Sequence, residues 1–294
     1  MKRYRQLVTV GIVAILLFAS CATGGSRRVE HRPIQLMGGP NAMVISVDAE
    51  REAQLLEAVL GDMGSLADRI SRVSIAMTPH SDAYPISLED AQLWAVIEGD
   101  FPRFLVNSAL IYVPGFKRQE ASDGRTYFTQ KDGNLSVRAV GNNSLIVTTG
   151  DYEEAYRSYR SRDPLIDEEI ATLMESSSIA LWAEEPKTFF ELGLELPQEI
   201  FLQADSVLFL LDHDEADQYW VDAYITMKGA KEANTLSQMV RSGYVARLRR
   251  EKQTVNIAAL REMFLLDDLQ VIIRQMELQD QELAQLKESL VGIL

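Results

Sequence analysis

Acid–base or metal chemistry needs a dense set of polar side chains. The densest in this 294-residue chain is Asp212-His213-Asp214-Glu215-Ala216-Asp217. Asp212, Asp214 and Asp217 can offer oxygens to a hard cation such as Ca²⁺. The run lacks the glycine and distal glutamate of an EF-hand loop. It also falls between two strand-like segments, where polar turn residues belong, so no metal site is assigned. The only histidines are His31, His80 and His213. Tyr152, Tyr156 and Tyr159 recur at helical spacing, which reads as packing rather than a ligand cage. There is no Walker A sequence, no G-x-S-x-G and no G-x-G-x-x-G. The expectation is a protein that is not an enzyme, with no catalytic residue and no soluble cofactor. One cysteine, Cys21, is the sole thiol. A single thiol excludes an intramolecular disulfide.

Cys21 follows a three-part leader. Lys2, Arg3 and Arg5 supply charge, Leu7 to Ala19 is uncharged and apolar, and Ala19-Ser20 are small. The run is short for a membrane span, which needs about 20 residues, and fits a secretory h-region. Cysteine after small residues resembles the bacterial lipobox, whose thiol receives diacylglycerol and becomes the mature N-terminus. Phe18 stands where leucine is usual, with Leu17 one place further back. Looser versions of this kind are typical of spirochaetal lipoproteins. The resemblance implies covalent diacylglycerol and fatty acyl on Cys21. Gly24, Gly25, Pro33, Gly38, Gly39 and Pro40 suit a flexible tether beyond it.

The net charge is −14. Loss of residues 1–20 removes Lys2, Arg3 and Arg5 and makes the mature chain −17. This argues against a nucleic-acid partner, which needs clustered Lys and Arg. It also argues against purely electrostatic docking on anionic lipid. The roughly 250 residues after the tether are enough for a substantial core.

The elements that would carry any site alternate. Strands are expected at 42–46, 72–78 and 91–99, with a helix from Asp48 to about Met63 and another after Asp100. Three strands follow ("TYFTQK", "LSVRAV", "SLIVTTG"), then a helix in "DYEEAYRSYR". A second pass begins near Ser178. "SIALWAE", "PKTFFELGLEL", "ADSVLFLLD" and "QYWVDAYITMKGA" parallel the first strands and helix, with Gly229 answering Gly99. The expected fold is α+β: two degenerate strand–helix–strand–strand–helix repeats with antiparallel or mixed sheets, followed by a C-terminal amphipathic helical region. The segments are a signal peptide (1–20), a lipidated tether (21–41), a first repeat unit (42–175), a second (176–253) and C-terminal helices (254–294).

No strand signal is read after Gly229. Ile257, Leu260 and Phe264 make 256–266 strongly apolar. Leu269, Met276, Leu283 and Leu290 recur every seven residues, with Ile272, Gln279, Leu286 and Ile293 in the companion position. Three readings stay open: a cover for the protein's own sheet, a seam for a protein partner or a second copy, and insertion into a bilayer surface. The candidate membrane- or partner-contacting residues are Ile257, Leu260, Phe264, Leu269, Ile272, Met276, Leu283 and Leu286.

The leader, the two related α/β units and the surplus of amphipathic helices together resemble the treponemal outer-membrane-associated lipoproteins. The resemblance implies a body facing the periplasm on the inner leaflet of the outer membrane. It also implies amphipathic helices that contact the bilayer or enclose a hydrophobic small molecule. Only Cys21 is carried over as a functional residue.

Overall fold

The computed structural model describes residues 32–38, 42–60, 68–80, 91–131, 133–161, 163–184, 186 and 202–293. Cys21, the leader, His31, most of the tether and all of "PKTFFELGLEL" but Pro186 lie outside them.

The centre of the protein is one antiparallel sheet of twelve strands. In chain order these are β1 (Met43–Asp48), β2 (Ile70–Pro79), β3 (Ala91–Gly99), β4 (Phe116–Glu120), β5 (Thr126–Gln130), β6 (Ser136–Val140), β7 (Ser144–Thr148), β8 (Ile179–Glu184), β9 (Ala204–His213), β10 (Tyr219–Met227), β11 (Phe264–Asp267) and β12 (Gln270–Glu277). Across the sheet they run β11-β12-β10-β9-β8-β1-β2-β3-β7-β6-β5-β4. The order therefore mirrors about the β8–β1 junction, where Ile45 lies opposite Leu181.

The central strands are apolar on both faces, as strands covered on both sides must be. In β1, Met43, Ile45 and Val47 enter one core and Val44 the other; in β9, Val207, Phe209 and Leu211 oppose Leu208 and Leu210. The first core is roofed by α1 (Ala53–Leu60), α2 (Arg103–Tyr112), α5 (Ala230–Arg250), α6 (Ile257–Met263) and α7 (Asp280–Ile293). The second lies under α3 (Tyr152–Tyr159), α4 (Glu168–Ser176) and the 3₁₀ turn Pro33–Leu36.

Local chemistry sets the helix starts. Asp151 accepts from the amides of Glu153 and Glu154, Asp167 from Glu169, and Asn256 from Ala258 and Ala259. Asp48 accepts from the amides of Glu50 and Arg51, in the turn ahead of α1. Asp100 does not cap α2 as expected. Pro102 is the capping residue, and Asn142, from the β6–β7 turn, accepts from the Arg103 amide.

The C-terminal expectation is corrected. Residues 254–294 are not helical throughout, because β11 and β12 extend the sheet beyond β10. Asp267 and Gln270 pair across the two-residue turn Asp268-Leu269, with Asp268 at φ 49°. Val271-Ile272-Ile273 is a β-branched run that favours a strand, and β10 offers it an apolar edge. The seven-residue spacing joins a turn (Leu269), a strand (Ile272, Met276) and a helix (Leu283, Leu286, Leu290), so it is not a coiled-coil seam. β4 and α4 were also unread in the sequence. β4 is short and polar, and the first turn of α4 is acidic.

Candidate functional site

Most of the C-terminal candidates point inward. Leu260, Phe264 and Ile272 are buried, and Met276, Leu283 and Leu286 pack partly buried against the first core. Leu269 is half-buried in its turn. Ile257 alone is a freely exposed member of the set, at 66%. On this evidence the stripe mainly covers the protein's own sheet.

The acidic run of 212–217 is the end of β9 and the turn into β10. Asp214 accepts from the amides of Ala216 and Gln218, and Asp212 pairs with Arg51 at 2.9 Å and accepts from the Ser178 amide. Among the described residues no three His, Cys, Asp or Glu side chains are grouped to hold a metal. The tyrosines of α3 are packing residues. Tyr152 stacks on Tyr127 at 4.3 Å and on Tyr156 at 6.0 Å, and the Arg125 and Arg138 guanidinium groups lie over the Tyr156 ring. Protein cations fill the face that a cationic ligand would need.

Sequence reasoning missed two buried polar clusters, because each joins residues far apart in the chain. The first is centred on Glu52, just ahead of α1, whose side chain is 1% exposed. Lys287 Nζ of α7 lies 3.3 Å from Glu52 Oε2, 2.8 Å from the Tyr219 hydroxyl and 4.3 Å from the centre of the Tyr219 ring. The Tyr219 hydroxyl donates to Glu52 Oε2 at 3.3 Å, and His213 Nε2 stands 3.9 Å from Oε1. Burial pushes the Tyr219 hydroxyl up, and the Glu52 charge adds to it. Burial pulls Lys287 down, but the Tyr219 hydroxyl and the Glu52 charge outweigh it, so Lys287 stays protonated above its ordinary range. Glu52 Oε1 is buried with no hydrogen-bond partner. The arrangement is a closed ion pair that holds α7 and the start of α1 to the sheet. Its carboxylate is sealed from any substrate.

The second cluster lies under α4. Arg72 of β2 pairs with Asp48 at 3.0 Å and donates to Ser46 Oγ and to the carbonyls of Met174 and Glu175. A cation at the end of a helix complements its dipole. Glu98, opposite Arg72 across β2 and β3, is pushed up to about 7 by burial first and by the Glu175 charge second, with Arg72 opposing.

Three of the exposed large apolar side chains share one helix, while Leu165, Leu202, Met239, Ile257 and Leu266 lie elsewhere. Phe104 is 79%, Ile111 54% and Tyr112 84% exposed, all on α2. Among the described residues no helix is long and apolar enough to cross a membrane.

No known protein-family model matches the chain, and no curated protein matches it at a significant level. Its fold is similar to that of TP0453, a Treponema pallidum protein. Crystal form I of TP0453 superposes with a TM-score of 0.58 at 14% identity, over 90% of this chain and 100% of that one. Crystal form III gives 0.56 at 13% identity, over 90% and 99%.

Proposed function

We propose that the chain is a non-enzymatic bacterial lipoprotein, held by acyl chains on Cys21 at the periplasmic face of the outer membrane. The observation that carries this reading is the leader ending in Ala19-Ser20-Cys21, ahead of a body whose fold is shared over its length with a treponemal protein. More than one acyl chain suffices for stable anchoring, which leaves the helical layer free for surface contact or for enclosing a hydrophobic molecule.

The mirrored strand order supports two degenerate copies of one unit. β1-β2-β3 answers β8-β9-β10, and Gly99 and Gly229 each precede a helix on the same face of the sheet. A Cβ on Gly99 would stand 1.9 Å from the Arg69 carbonyl oxygen, so that strand end requires glycine.

Mass spectrometry of the N-terminal peptide, from protein recovered with the envelope, tests the anchor. A diacylglycerol-modified Cys21 at the mature terminus is expected, and Cys21→Ala abolishes both the modification and membrane retention. An unmodified Cys21 within a longer or differently cleaved chain overturns the reading.

A further inference from the structure

The second core holds a cation without a counter-charge. Arg138 of β6 lies opposite Ile146, which lies opposite Val96, and both of these are residues of the second core. Residues opposed in this way share one face of a sheet, and Arg138 is buried there, at 4% exposure. Its Nη1 donates to the Tyr152 hydroxyl at 3.4 Å, the only hydrogen bond of its guanidinium among the described residues. Its Nε is buried and has no acceptor. Among the described residues no carboxylate pairs with it, whereas Arg247, whose Nε is also without an acceptor, is neutralised by Glu282 at 3.1 Å.

A guanidinium cannot shed its proton when it is buried, and a buried charge left unpaired is strongly destabilising. The neighbours of Arg138 do not offset it. Arg125 adds a second cation: its guanidinium stands 4.9 Å from the centre of the Tyr156 ring, and that of Arg138 stands 5.6 Å from the same centre. Asp123 is engaged with Arg125 at 3.3 Å. Burial pushes the Tyr152 hydroxyl up, so it stays a neutral phenol. Glu98, the buried acid on this face, answers to Glu175 and Arg72 instead. Two cations against one carboxylate leave a positive charge over beside Tyr156, and the ring offsets only part of it. A buried water would give Nε an acceptor but no charge. The engaged and unengaged atoms also fall on different edges of the guanidinium. Nη1 turns to Tyr152, while Nε and Nη2 form the two-donor edge that a carboxylate fits side-on. Trp94 of β3 adds to the same core a second buried N–H without an acceptor.

We propose that Arg138 binds the carboxylate group of a small monoacid, received on its Nε–Nη2 edge inside the second core. One positive charge balances a monoanion, while a dianion would leave a negative charge buried in its place. Tyr152 and Tyr156 stand beside the guanidinium and suit a short apolar remainder on the acid. The narrow exposure of Arg138 restricts that remainder to a few atoms. The site does not depend on the anchor at Cys21.

The test uses acetate as the probe. The full chain, purified in detergent and in buffer free of carboxylates, is titrated with sodium acetate at neutral pH, with sodium chloride holding the ionic strength constant. Its melting temperature should rise and saturate. Arg138→Gln should weaken the apparent affinity by on the order of tenfold or more. Arg138→Lys keeps the charge but loses the two-donor edge, and should weaken it as well. Inorganic phosphate at the same ionic strength should give a smaller rise. In the parent protein the Arg138 Nε–H resonance, read by ¹⁵N NMR, should shift saturably with acetate, and this readout stands even where a variant fails to fold. No saturable rise with acetate, an equal rise in Arg138→Gln, a larger rise with phosphate, or an Nε–H resonance that acetate does not move overturns the proposal.

Discussion

Glu98 shows how one side chain can tie stability to pH. Its carboxyl is raised from an ordinary 4.5 to about 7, chiefly by burial and then by the Glu175 charge. The folded state therefore holds a proton that the unfolded chain releases in the same range. Stability from this group is full below about pH 4.5 and is lost as pH climbs through about 7, by up to about 3 kcal/mol. Glu98→Gln removes the titration. Urea unfolding of the variant should show a gain of about 1–3 kcal/mol at pH 8 and none at pH 5. A variant whose stability tracks the parent at both pH values would show that Glu98 titrates normally. None of this was legible in the sequence, where Glu98 is one charge at the end of a strand. Glu98 lies within reach of Tyr159 of α3 and Glu175 of α4, neighbours brought to it by chain reversals that periodicity does not report.

Among the elements, α7 depends on polar anchors as much as on packing. Leu290 is buried and Leu283 and Leu286 are only partly so, while Lys287 reaches the sealed Glu52 and Glu282 pairs with Arg247 of α5 at 3.1 Å. Removing one partner of a buried pair leaves the other charge uncompensated. Lys287→Ala should thus lower stability by about 2–4 kcal/mol and speed amide exchange throughout α7, measured by hydrogen exchange with mass spectrometry. Exchange unchanged in α7 would mean that packing alone holds it. The sequence showed α7 as amphipathic but not its partner. Strands β11 and β12 were misread for a related reason. Leucines at seven-residue spacing suggested one helix, while the β-branched 271–273 run, which settled the local choice, is only three residues long. The outward face of α2 was equally hidden. The stretch from Phe104 to Tyr112 is apolar nearly all round, and only the sheet beneath decides which side is covered.

At the scale of the molecule, the expected α+β architecture, read with antiparallel or mixed sheets, is present with one large antiparallel sheet, and the strands from β1 to β3 and from β8 to β10 were legible as short apolar runs, two of them marked by Gly99 and Gly229. The sequence did not show that they join into a single sheet, because strand adjacency is fixed by contacts across the β8–β1 junction. The first core runs from Met43 in β1 to Leu290 in α7. The C-terminal segment is part of that core rather than an appendage. A chain truncated after Gln253 would expose the edge of β10 and lose Phe264, Val271 and Ile273 from the core. Such a chain should be recovered mainly as aggregate, or melt well below the full chain in calorimetry. A soluble truncation with an unchanged melting temperature would show that the C-terminal strands are dispensable.

The position of β1 also carries a cost during synthesis. Among the described residues it is the first strand made, yet it ends in the middle of the sheet, with β2 on one side and β8 on the other. The hairpin to β2 can form early, but the opposite edge of β1 stays unpaired until everything between Asp48 and Ile179 has emerged. Open apolar edges invite pairing with other chains, and contacts this distant in sequence close slowly. The nascent protein therefore passes through a long interval with that apolar edge uncovered. A holding chaperone would find its substrate there, and the arrival of β8 would end the need for it.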